Sequence, residues 1–487
     1  MTRARPRLER LDEFRWLLPR QGEMRAEGIV YASPALLAEA EGSEGSAVEQ
    51  VANVAHLPGL VGRALAMPDI HFGYGFPIGG VAAFDPGEGG VVSPGGVGYD
   101  INCGVRLLAS DLAAEDLGPR IEKLIEQLFR AVPSGVGSEG LADLPLDQER
   151  LDRVLAGGAS WVVEQGFGEE EDLEAIESRG CIGGADPAAV SERARARGLP
   201  QLGSLGSGNH FVEVGRVAEI HDAEAAEAFG LGLGRVVVSI HTGSRGLGHQ
   251  VCDDAVREMG QAAAKYHLRL PDRQLCCAPL GTPEAERYLA AMAAAANFAF
   301  ANRQAIAHRA RQVFERLFGG RGAAARLRTV YDVAHNIAKW EEHRVRGASR
   351  RLCVHRKGAT RAFPAGHPEV PARYRRVGQP VLIPGDMGRA SWVLVGLPRA
   401  MEESFGSSCH GAGRLLSREQ AKRRARGRDI PQELGRRGIL LRAASRGTVV
   451  EEMPEAYKDV DEVVGVVAGA GLCAKVARLE PLAVIKG

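Results

Sequence analysis

The 487 residues balance 61 Lys+Arg against 61 Asp+Glu, with 45% hydrophobic and 25% charged residues. That is the profile of a soluble globular protein with room for one large domain or two to three ordinary ones. No apolar run approaches the roughly 18 residues a helical membrane span needs, and the zero net charge leaves the choice of partner open. The charge is unevenly placed. Arginines far outnumber acids from Arg344 to Arg376 and from Arg414 to Arg446, whereas Glu169 to Asp172 is wholly acidic. An arginine excess suits a phosphate-rich partner, and equally an ordinary solvated face.

The start, Met1 to Arg7, is basic but runs into Leu8-Glu-Arg-Leu-Asp-Glu13 rather than an apolar core, which does not fit a signal peptide. The eight cysteines form no CxxC pair and no disulfide-like framework, favouring a reducing compartment and a cytoplasmic location. Residues 112–130 and 147–200 read as helices with polar loops. Arg235 to His241 is a β-branched strand ending at Thr242-Gly243, Thr329 to His335 has the same shape, and Pro380 to Gly385 is a short strand running into a turn. Between them lies one long helix, with Thr282 as N-cap, Pro283 in the first helical position, Glu284 at the positive end of the dipole, and a stop at Gly319-Gly320. Strands and helices mix without regular alternation, so the expected class is α+β. No dinucleotide fingerprint and no phosphate-binding P-loop is present.

The 62 glycines gather in short clusters, which suggests a site built from several loops. The first such loop holds Asp100 and Cys103, three residues apart, a spacing that suits a metal ligand or a nucleophile. Three histidines sit in comparable settings: His210 in a glycine loop, His241 at a strand end and His335 at another. Carboxylate, thiolate and neutral imidazoles make a good divalent-metal set, although any one of these histidines alone would be a structural residue more often than a ligand. His410, followed by Gly411-Ala412-Gly413, has the look of an imidazole beside a backbone anion nest, placed to attack phosphate, or of an incidental histidine in a turn. Pro384-Gly385-Asp386-Met387-Gly388 is another tight turn with backbone donors to offer.

At these residues the chain resembles the RtcB family of RNA 3′-phosphate ligases. The resemblance is carried by Met67-Pro-Asp69-Ile-His71, Phe76 to Phe84, Gly98 to Arg106, Gly203 to Val214, His241 to Gln250, Asp332 to Asn336, Val354 to Phe363, Ser408 to Arg414 and the terminal Lys486-Gly487. It implies a single compact α+β domain over residues 1–487, with the helical, loop-rich region at about 112–200 inside it. It implies an enzyme that joins an RNA 2′,3′-cyclic phosphate or 3′-phosphate to a 5′-hydroxyl, in tRNA splicing or RNA repair, with GTP as co-substrate, two manganese ions and, as a possible partner, an archease activator. From ligand softness alone the metal would be zinc; manganese comes from the resemblance.

Residue by residue, the resemblance gives Asp100, Cys103 and His210 to one metal, and Cys103, His241 and His335 to a second, with the thiolate bridging. It makes His410 the guanylylated residue, oriented by Asp69. Asn209 and Asn336 would contact phosphates. Phe211, Val212, Glu213, Pro384, Gly385, Asp386, Met387, Ser391, Gly411, Ala412, Gly413, Tyr457 and Lys486, with His210, His335 and His410, would line the nucleotide. Glu213 would accept from guanine N1–H and N2–H, Tyr457 would stack on the base, and Arg245 and Arg414 would meet RNA. Asp386 is expected to donate from its backbone, with its carboxylate turned away or near metal. The competing readings are a metal-dependent enzyme that hydrolyses or caps 3′-phosphate ends without sealing them, and a non-catalytic RNA-binding protein. Hydrolysis of a cyclic phosphate end would need the metal set but not His410, Glu213 or Lys486; an RNA-binding protein would need basic surface but no ligand set.

Overall fold

The long helix expected after Thr282 forms over Pro283–Phe318, with Glu284 and Glu286 in its first turn and Arg316 in its last. Thr282 takes the N-cap position, but its hydroxyl donates to Pro279 O at 2.7 Å instead of capping a helix amide. The helix is buried on nearly every side between Ala291 and Ala307, with Phe298, Phe300 and Phe314 fully enclosed. Burying each such ring contributes roughly 1.5–3 kcal/mol. Its alanines leave room for close neighbours. The polar residues on it are therefore unusual, and they turn out to hold the loops of the site.

The computed structural model describes residues 6–42 and 46–487, so Met1 to Arg5 of the basic opening lie outside the described residues. Among these residues two large sheets carry the fold. The first runs, in spatial order, through Glu9–Arg10, Arg15–Leu18, Gly28–Tyr31, Leu60–His71, Ile78–Phe84, Ala348–Lys357 and Asn336–Val345. The second runs through Arg328–Ala334, Gly104–Ala113, Arg235–Thr242, Phe211–Ile220, Cys473–Lys486, Ser391–Gly396 and Pro380–Ile383, with Leu440–Ala443 paired in parallel to the fifth of these. The helices of the 112–200 region are short: Ile121–Ala131, Gln148–Gly157, Ala159–Glu164 and Glu192–Gly198 are the chief ones. Mixed sheets with helices packed between and around them make the chain α+β, as expected.

The second sheet positions the site. Its registers set Ala334 opposite Gly104, Gly104 opposite Thr242, His241 opposite Phe211, and Phe211 opposite Lys486. Five neighbouring antiparallel strands therefore bring His335, Cys103, His241, His210 and Lys486 to one edge, alternately from strand ends and strand starts. The long helix locks that edge from beneath. Arg303 donates to Asn102 O and Thr242 O, both at 2.8 Å, and pairs with Asp332, which also accepts from Arg106 at 2.8 Å. Asn302 accepts from Gly203 N at 2.7 Å and donates to Ser204 O at 3.1 Å and Gly243 O at 3.3 Å. These groups are buried and, apart from one guanidinium nitrogen of Arg106, matched, the condition under which a polar core fixes a unique geometry.

Candidate active site

Cys103 lies at the centre of the edge. Its Sγ is 3.2 Å from His241 Nε2 and 3.7 Å from His210 Nε2, and His210 Nε2 is 2.9 Å from Asp100 Oδ2. The ligand atoms of Asp100, Cys103 and His210 all lie within 4.8 Å of one another. Gly243 is required for this approach, because a Cβ there would sit 2.3 Å from Asp100 Oδ1. His335 Nδ1 lies 2.9 Å from Thr360 Oγ1, leaving Nε2 to face the cluster. The imidazoles of His210, His241, His335 and His410 form a row with successive centroids 5.8, 5.6 and 5.3 Å apart.

The chemistry of this donor set fits a divalent cation. His210 Nδ1 is 3.0 Å from Leu205 O, a pure acceptor, so Nδ1 carries the hydrogen and Nε2 is a lone pair. That lone pair then faces a carboxylate oxygen at 2.9 Å, an arrangement that needs a proton or a cation between them. His335 Nε2 is buried without a partner, a costly state for a polar atom unless something coordinates it, and His241 turns its Nε2 rather than its orphaned Nδ1 to the thiol. Burial and the neighbouring imidazoles keep His241 and His335 neutral, well below the usual histidine range. Burial opposes the Asp100 charge, yet a proton shared with His210 Nε2 and the Cys103 contact hold its carboxyl down to about 2. Burial, with Asp100 beside it, pushes the Cys103 thiol well up; a bound cation reverses that and makes it a thiolate ligand.

His410 is held from the other sheet. Asp69, near the end of Leu60–His71, sets Oδ2 2.6 Å from His410 Nδ1 and accepts from His410 N at 2.9 Å and Gly411 N at 3.3 Å. A hydrogen on Nδ1 leaves Nε2 as a nucleophilic lone pair. Gly413, at φ +74°, lets the loop cross Asp69, where a Cβ would meet Asp69 O at 2.4 Å. The expected anion nest is not open to a ligand. The amides of His410 and Gly411 are taken by Asp69, and that of Ala412 donates to Pro384 O at 3.1 Å. The nest binds a carboxylate of the chain itself.

A cavity of about 410 Å³ joins the two parts. Asp100, Cys103, His241, His335 and His410 line it, together with Asn209, Phe211, Glu213, Asn336, the turn Pro384–Met387, Gly411 to Arg414, Tyr457 and Lys486. Val212 and Ser391 do not. Val212 points into the apolar core beneath the strand, and Ser391 stands behind the wall, accepting from Gly385 N at 3.2 Å. His210 reaches the cavity only through the Asp100 group. Glu213 is buried and pushed up to about 8 by desolvation and then by the Asp386 charge, with Lys486 opposing. Asp386 caps Gly388 N at 2.9 Å, and its charge acts on Glu213 and Lys486. Its carboxylate thus belongs with Glu213 and Lys486, not beside the Asp100–Cys103 cluster.

The two arginines differ. Arg414 donates from all three guanidinium nitrogens to Leu416 O, Glu452 and Glu451 O, and its guanidinium carbon stands 5.2 Å from the Tyr457 ring centre. It is a wall of the cavity rather than a free cation for RNA. Arg245 makes one long contact, 3.4 Å to Ser204 Oγ, and lies within electrostatic reach of Asp100 and Cys103. The sequence reading passed over Lys357, Tyr74 and Tyr99, which also line the cavity. Lys357 donates to Phe76 O at 3.1 Å and to Tyr74 O, and burial brings its ammonium down to about 7. Its place in the run Val354 to Phe363 was the available signal; its burial was not.

A row of imidazoles beside a thiol–carboxylate cluster, with a carboxylate-oriented histidine across a cavity from a buried glutamate and lysine, is an enzyme site of the class that carries a metal-type donor set. The comparisons give that class its family. The family profile described as tRNA-splicing ligase RtcB matches residues 50–487. Relatives named tRNA-splicing ligase RtcB from Thermococcus kodakarensis and Archaeoglobus fulgidus are each 55% identical, over 99% of both chains. The RNA-splicing ligase RtcB of Mycobacterium tuberculosis is 54% identical over 90% of this chain and all of its own. The chain belongs to the RtcB family. No helix among the described residues is long and apolar enough to cross a membrane.

Proposed function

We propose that this protein is a GTP-dependent RNA ligase, acting as one catalytic domain in the cytoplasm on RNA ends from tRNA splicing or from cleavage. The observation that carries the reading is the 2.6 Å contact of Asp69 Oδ2 with His410 Nδ1, which leaves Nε2 free beside the cation-type cluster. His410 Nε2 attacks the α-phosphorus of GTP, forming a P–N bond as the bond to pyrophosphate breaks. Asp69 supports the positive charge that develops on the ring. An oxygen of the RNA 3′-phosphate then attacks the same phosphorus, the P–N bond breaks, and an RNA-ppG end results. Finally the 5′-hydroxyl attacks the RNA 3′-phosphorus and GMP leaves. A 2′,3′-cyclic phosphate is first opened by water to the 3′-phosphate.

Asp100, Cys103 and His210 would hold one manganese ion, and Cys103, His241 and His335 a second. Such ions neutralise charge on the phosphates as it builds. The orphaned His335 Nε2 and the close approach of His210 Nε2 to Asp100 support that loading. Glu213, as a carboxylate, accepts from guanine N1–H and N2–H; Lys486, 3.3 Å from Gly208 O, closes that end. Tyr457 stacks on the base, with Arg414 behind it. Asn209, Asn336 and Arg245 meet phosphates.

Incubation with α-labelled GTP and manganese tests this. An acid-labile, alkali-stable label is expected on wild type and not on His410→Ala. An unlabelled wild type, or equal label on the variant, overturns the ligase reading and leaves end processing without sealing.

A further inference from the structure

The aromatic side chains at one rim of the cavity take part in none of the steps above. Tyr99 directly precedes Asp100, and its ring meets Tyr74 edge-on at 5.6 Å and 71°. On its other side the His249 ring lies 4.8 Å away, tilted by 33°. Both tyrosines line the cavity and are partly exposed, and His249 is exposed. Burial pushes the Tyr74 phenol up to about 12 and that of Tyr99 up as well, so both present neutral rings.

Cations accompany the rings. His249 lies four residues after Arg245, which opens the helix Arg245–Lys265 with a left-handed backbone at φ +57°. Arg245 acts on Asp100 and Cys103, and one turn along, His249 rests on Tyr99. Lys357 is anchored by the carbonyl of Tyr74 itself, with no carboxylate within ion-pair distance among the described residues. Aromatic faces interleaved with cations along a groove are how proteins hold single-stranded nucleic acid without reading its sequence. Packing alone explains why the rings touch each other. It does not explain why they stand at the mouth of the cavity, next to the cluster where phosphates react.

We infer that Tyr74, Tyr99 and His249 form a stacking ledge for a terminal base of the RNA, with Arg245 and Lys357 meeting its flanking phosphates. This rests on the RNA-ligase reading. The ledge leaves the cluster on the Asp100 side through Tyr99, so a strand whose end phosphate reaches Asp100 and Cys103 lays its terminal base on the rings. Stacking is indifferent to base identity, as suits an enzyme that must accept many cleaved ends.

The test uses the full chain with GTP and manganese and short RNA strands carrying an abasic residue in the last position. One set places it at the 3′-phosphate end, the other at the 5′-hydroxyl end. Wild type is expected to lose roughly five- to hundredfold in RNA affinity, read as KM, on one of the two. Tyr99→Leu and, at an exposed helical position that leaves folding intact, His249→Leu are expected to bind normal and abasic strands alike, while Tyr99→Phe restores the difference. The strand that shows the effect identifies which end the ledge holds. Equal KM for normal and abasic strands in wild type, or the same abasic penalty in wild type and both Leu variants, overturns the ledge. A wild type that takes no label from GTP and seals no ends fails the ligase reading instead, so the two failures are distinct.

Discussion

The two halves of the site are held in place by different means. The Asp100–Cys103–His210–His241–His335 half is the edge of a sheet, where five strands in fixed register and the buried Arg303 and Asn302 leave each ligand little freedom. The His410 half is a turn tethered to one carboxylate, Asp69, which reaches it from the other sheet. Redundant support makes the first half a rigid receptor for cations, whereas in the second one carboxylate oxygen sets both the imidazole and the amides of the turn. Substitutions in the first half should therefore change what is bound, and substitutions in the second what reacts.

The largest expected effect is at Cys103. Replacement by Ala removes the atom that stands between His210 and His241, so metal content measured by elemental mass spectrometry should fall, along with His410 labelling. The loss in metal affinity should exceed the roughly 100-fold that removing an outer partner of a metal ligand costs. A Cys103→Ala protein that keeps its metal and full labelling refutes the central role of the thiol. Next comes Asp69→Asn, which keeps the size of the side chain but not its charge and permits the wrong imidazole tautomer. Labelling should slow by roughly 100-fold or more while metal content stays at the wild-type level. A matching fall in metal content would show that the two halves are not separable in the way the geometry indicates.

Much of this contrast is legible in the sequence, and unequally so. The cation half was readable because each ligand sits beside a glycine or at the end of a β-branched run, where local pattern alone announces a strand edge. The helix Pro283–Phe318 was readable from its ends for the same reason. The nest after His410 was misread because its donors are local but their acceptors are not: Asp69 lies 341 residues earlier, and Pro384 O comes from another turn. The partners of Arg414 were hidden likewise, since Glu452, which pairs with it, has no pattern to mark it. Lys357 and Tyr74 look like a surface cation and a core ring until the pairing of Ala348–Lys357 with Ile78–Phe84 brings them to the cavity. Local chemistry carries a site as far as strand ends; which distant groups satisfy those ends is decided by pairing.

The smallest effect separates the halves most finely, and it lies at Glu213. This carboxyl is pushed up to about 8 by burial and by Asp386. At neutral pH the free protein therefore holds it mostly protonated, and a protonated acid cannot accept from both guanine N1–H and N2–H. Binding guanine favours the carboxylate, so the bound form has the lower pKa and a proton is released. GTP affinity should rise with pH by up to tenfold per unit until about pH 8 and then level off. ATP, lacking those donors, should show no such slope from this group, so the preference for GTP widens as pH rises. In Glu213→Gln the slope should vanish and guanine affinity should fall by roughly tenfold, with metal content unchanged. A slope that persists in Glu213→Gln assigns the titration to another group and removes Glu213 from guanine recognition, while the cation half of the site would stand as described.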